Sequence, residues 1–72
     1  METLLLQSVI IHENMNEINY CVRKLQNLSK NINENNSAKI MALMTINIEY
    51  LYKLVNITSD LSIDMIKQLN KV

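Results

Sequence analysis

Residues 31–37 read NINENNS, and the fold turns on what this stretch does to the chain on either side of it. Short polar side chains compete with a helix for backbone hydrogen bonds, and asparagine tolerates left-handed backbone better than most residues. Such a run ends a helix without help from other residues. The chain has no glycine and no proline, so tight β-hairpins and bulges lack their usual residue, while long helices meet no breaker. Asn36 or Ser37 is the expected N-cap of whatever follows.

Upstream of the break, Leu4, Ser8, Ile11, Met15, Ile18, Val22, Leu25, Ser29 and Ile32 alternate spacings of four and three. They form one stripe of a long amphipathic helix, with a heptad series at Leu4, Ile11, Ile18, Leu25 and Ile32. Downstream, Met41, Met44, Ile48, Leu51, Val55, Thr58, Ser62, Met65, Leu69 and Val72 repeat the rhythm. The expected fold class is all-α: one domain over residues 1–72, an antiparallel hairpin with helices over about 2–32 and about 37–71 and a turn over about 33–36. At 1.5 Å per residue the helices are about 46 and 52 Å long. A turn centred near residue 35 pairs residues whose numbers total about 70. That register sets Glu17 near Lys53, Arg23 near Glu49, Glu2 near Lys67, His12 near Thr58 and Tyr20 near Tyr50.

Composition says what must stabilise such a hairpin. A chain of 72 residues leaves a large fraction of its surface outside any core it forms alone. Cys21 is the sole cysteine and His12 the sole histidine, so neither an intrachain disulfide nor a structural zinc site is open to it. Oligomerisation is the remaining support. Seven basic residues balance seven acidic ones, which gives no long-range attraction to phosphate and disfavours nucleic acid as a partner. Eleven asparagines and ten isoleucines point to an AT-rich genome, such as that of a low-GC bacterium, a phage or a virus.

Apolar residues exceed what one hairpin can use. Ile40, Leu43, Tyr50, Leu54, Ile57 and Leu61 widen the second helix's apolar arc to about 200°. Leu5, Leu6, Val9 and Ile10 make the run LLLQSVII (residues 4–11) apolar nearly all round. The expected oligomer interface is therefore Leu5, Leu6, Val9, Ile10, Leu43, Tyr50, Leu54, Ile57 and Leu61, giving a four-helix bundle if dimeric or a larger ring of hairpins. LLLQSVII is neither a secretory signal nor a membrane span: Glu2 precedes it, His12-Glu13-Asn14 follows, and a span needs about 20 apolar residues. No membrane partner and a cytoplasmic location are expected. The triplets at Asn27, Asn35 and Asn56 that match a glycosylation acceptor follow from composition alone.

The residues able to do chemistry stand apart from one another. His12 has only Asn16 at the next turn, so an interfacial role is expected for it. Cys21 has Arg23 and Lys24 nearby but no histidine to serve as base. Asp60 and Asp64 lie one turn apart on a solvated face, and a phosphate loop needs glycine. No catalytic, cofactor-binding or metal-binding residue is expected, and the chain is read as a non-enzyme. Met15, Met41, Met44 and Met65 fall on the stripes as core filling, whereas Tyr52, beside Glu49 and Lys53, is a candidate contact on the polar face.

The leading functional expectation is a homo-oligomeric helical protein that acts by stoichiometric binding to a protein partner, as a regulator, inhibitor or adaptor. The alternative is sequestration of a nucleotide-like anion in pockets between hairpins, with Arg23, Lys24, Lys39 and Tyr52 as contacts. Tyr20 and Arg23 in the first helix, Ser37, Lys39 and Ala42 opening the second, and Tyr52 beyond give the chain a pattern that resembles the helical hairpins of phage sponge proteins, which sequester cyclic-nucleotide immune signals. The resemblance covers about half the chain and implies the anion-binding alternative. The proline and tryptophan of that pattern at the second helix are missing here.

Overall fold

Without a breaker on either side of the asparagine run, two helices form: α1 over Glu2–Lys30 and α2 over Ser37–Asn70. They come from a computed structural model, which describes residues 2–71. The helices pack side by side as an antiparallel hairpin of 57 × 14 × 13 Å, and no strand occurs among the described residues. Glu2 in the first turn of α1 and Lys30 in its last complement the helix dipole.

The turn works through side chains. α1 ends at Lys30, two residues before the expected boundary at 32, because Asn31 N–H closes a tight turn onto Leu28 O at 3.2 Å while its amide donates to Asn27 O at 2.9 Å. Among the described residues none has positive φ, so asparagine contributes nothing here through left-handed backbone. Asn36 precedes α2 as expected, yet it makes no side-chain cap bond. The turn ahead of the helix is closed by Asn33: its Oδ1 accepts from Asn35 N at 2.9 Å and Asn36 N at 3.1 Å, and Asn36 Oδ1 accepts in return from Asn33 N at 2.7 Å. This is the reciprocal logic of a capping box, with asparagine in both roles.

The seam keeps one expected heptad series on each helix and replaces the other. Leu4, Ile11, Ile18 and Leu25 turn inward on α1, as do Met44, Leu51, Thr58 and Met65 on α2. The second series, however, is Gln7, Asn14, Cys21 and Leu28 on α1, with Ile40, Asn47, Leu54, Leu61 and Gln68 on α2. The residues expected there, Ser8, Met15, Val22 and Ser29 with Met41, Ile48, Val55 and Leu69, are exposed; Ser62 is half-buried and Val72 lies outside the described residues.

Asn47 and Thr58 are tolerated in this seam because each has a partner on its own helix. Asn47 Nδ2 donates to Leu43 O at 2.8 Å and Thr58 Oγ1 to Leu54 O at 2.7 Å, so their polar atoms bond their own helix. Cys21 packs as a small hydrophobe. It is absent from the stripe expected on α1, yet among the described residues it is the most buried side chain, 3% exposed. Leu54 and Leu61, expected at an interface between chains, are used within the hairpin.

Candidate functional site: an uncharged flank along the hairpin

Three hydrogen bonds between the helices set the register and show which edges meet. Gln7 Nε2 donates to Asp64 Oδ2 at 2.7 Å, Gln68 Nε2 to Gln7 Oε1 at 3.1 Å, and Tyr50 Oη to Glu17 Oε1 at 3.4 Å. The paired numbers total 71, 75 and 67, on both sides of the expected 70. Glu17 thus meets a tyrosine hydroxyl. Bonds from Gln7 and then Gln68 hold the Asp64 carboxyl below its ordinary value, with Lys67 and Lys71 adding to the effect. The Glu17 carboxylate pushes the Tyr50 phenol up.

Heptad letters make the two flanks explicit. With Leu4 and Met44 at position a of their helices, Gln7 and Asn47 stand at d, and Glu17, Tyr50 and Asp64 stand at g. Antiparallel helices present like letters to each other on each side of the seam, so the g edges meet on one side and the e edges on the other. The observed bonds lie on the g side.

Charge divides along the same line. Glu2, Glu13, Glu17, Arg23, Lys24 and Lys30 fall at c, f or g of α1. Lys39, Glu49, Lys53, Asp60, Asp64, Lys67 and Lys71 do so on the heptad of α2, and Glu34 is in the turn. Positions c, f and g span about 100° of a helix, and all helical charge is confined to that sector. Positions b and e carry none. On this uncharged flank Met15, Val22, Met41, Ile48, Val55 and Leu69 are exposed, with Leu5, Tyr52 and Ile66 beside them at b. At its open end, Glu2, Leu4, Leu5 and Leu69 line a cavity of about 480 Å³.

The residues expected to bind a ligand do not converge. Arg23, Lys24 and Lys39 are exposed on the charged flank, and Tyr52, expected on the polar face, stands at b on the uncharged one. The cavity lies at the far end from the turn and its lining is almost wholly apolar, which offers an anion no partner. Among the expected interface residues, Leu5, Leu6, Val9, Leu43, Tyr50 and Ile57 are exposed and Ile10 is half-buried. His12 is exposed at b and Tyr20 at c.

No family model, curated protein or solved structure matches the chain. Among the described residues no group of three or more His, Cys, Asp or Glu is placed to hold a metal, and no helix is long and apolar enough to cross a membrane. Sequence reasoning missed the uncharged flank because it sorted residues by hydropathy. The signal was in the charges, which avoid b and e throughout both helices.

Proposed function

We propose that the chain is a self-associating helical hairpin that acts without chemistry of its own, by stoichiometric binding to another protein as a regulator, inhibitor or adaptor in the cytoplasm. The observation that carries this reading is the imbalance of the apolar surface. Eighteen large apolar side chains among the described residues are exposed, while only Cys21 and Thr58 are buried. Exposed apolar surface on this scale marks interaction sites on proteins. Sequestration of a nucleotide-like anion draws no support from the placement of Arg23, Lys24, Lys39 and Tyr52.

Native mass spectrometry of the protein isolated from its host tests the reading. Masses at multiples of the 8.4 kDa chain, joined by a second protein in fixed ratio, are expected. A lone chain without a partner overturns it, and a retained anion of nucleotide mass transfers the argument to the alternative.

A further inference from the structure

The hairpin exposes 5826 Å². A compact monomer of its 8.4 kDa mass exposes about 4,600 Å² by the general scaling of surface with mass. The excess, about 1,200 Å² per chain, corresponds to about 2,400 Å² for two chains, within the range buried by obligate homodimers. The hairpin therefore has surplus surface in the amount that a second copy of itself removes.

We propose that the uncharged flank, positions b and e of both helices, is where that second copy docks, closing a four-helix bundle. This rests on the self-association reading above and names its surface.

Two features select this flank and this occupant. In a two-fold dimer the same patch lies against itself, so a charge near the axis meets its own copy and every charge in the patch loses water. Docking through the g side would impose this on Glu17, Lys24, Asp64 and Lys71, whereas the b and e positions hold no Asp, Glu, Lys or Arg and, among titratable nitrogen groups, only the imidazole of His12. The e edges are apolar as well: Met41, Ile48, Val55 and Leu69 with Ser62 on α2, and Met15 and Val22 with Ser8 and Ser29 on α1. A two-fold axis along the hairpin lays α2 of one copy over α1 of the other, which at the hairpin's own register sets Ile48 and Val55 level with Val22 and Met15, and Met41 level with Ser29. The cavity beside Leu5 and Leu69 is then covered by the partner chain.

Two measurements test the proposal. In light scattering the wild-type chain has twice its 8.4 kDa mass. The pair Ile48→Glu and Val55→Glu halves that mass, and the pair Ile46→Glu and Ile63→Glu, at c and f on the other flank, leaves it unchanged. Because the first pair could unfold the chain instead of separating it, peroxide oxidation of the wild-type protein is read by mass spectrometry. Met15 and Met41 are exposed in the single hairpin and Met44 and Met65 are half-buried in its seam. The expected result is that all four react at the slow rate of the seam pair.

A dimer in which Met15 and Met41 oxidise as fast as a free methionine peptide, or in which the second pair of substitutions dissociates the chains and the first does not, overturns the flank and leaves self-association standing. A wild-type monomer, including one that gathers only on lipid vesicles, overturns both.

Discussion

Gln7 occupies a seam position where leucine is the usual choice, and its neighbours explain how it stays there. Its amide donates to Asp64 at 2.7 Å and Gln68 donates to the same carboxylate at 2.8 Å. Because these bonds lower the folded-state pKa of Asp64, the stability they contribute is complete above the ordinary carboxylate range and is lost as pH falls through the depressed value. The contribution of this carboxylate should therefore be lost only below about pH 4. Asp64→Asn should flatten that acid limb in thermal melts, and Gln7→Leu should move the Asp64 carboxyl titration, followed by NMR, back up. An unmoved titration would mean that the bond does not form in solution. Tyr50 gives the converse case, since the Glu17 carboxylate raises its phenol. Glu17→Gln should make Tyr50 titrate earlier in an absorbance titration, whereas an unaltered curve would separate the two side chains.

At the scale of elements, the turn is held by Asn33 and Asn36. Asn33→Ala removes the acceptor that serves two backbone N–H groups and should cost about 1 kcal/mol in urea unfolding. The same change at Asn35, whose side chain makes no bond in the turn, should cost much less; equal losses would show that the turn is held by backbone alone. Both helices and their hairpin were legible because the chain breaks its apolar heptads only at residues 31–36 and has neither glycine nor proline. Half of the seam was legible for the same reason. The other half was not, because hydropathy favours Met15, Val22, Ile48 and Val55 over Asn14, Cys21, Asn47 and Leu54 when each pair competes for one seam position. The register is instead marked by the bonds of Gln7, Gln68 and Asp64 across the seam, and Asn47 enters it by bonding its own helix, neither of which composition reveals. Asn47→Leu should accordingly raise stability in denaturant, as expected for a seam polar group that specifies register at a cost. A loss of stability would place a bond to Asn47 from the facing helix.

For the whole molecule, a single seam between two helices buries one apolar side chain, Cys21, below a tenth of its surface. That is a small core against the conformational entropy of ordering about 70 residues. The bundle proposed above places the b and e positions inside and leaves every charge outside, together with Leu6, Val9, Ile46, Ile57 and Ile63. This outward mixture of charged and apolar groups is the surface left for a different protein. If folding and pairing are one event, apparent stability depends on chain concentration, since dissociation accompanies unfolding. Each tenfold dilution should then remove about 1.4 kcal/mol from the folded state. Circular dichroism melts over a hundredfold concentration range should show the midpoint falling steadily on dilution. A midpoint independent of concentration would mean that the Cys21–Thr58 seam sustains the hairpin alone, and the exposed apolar flank would then be free to receive a partner of another kind.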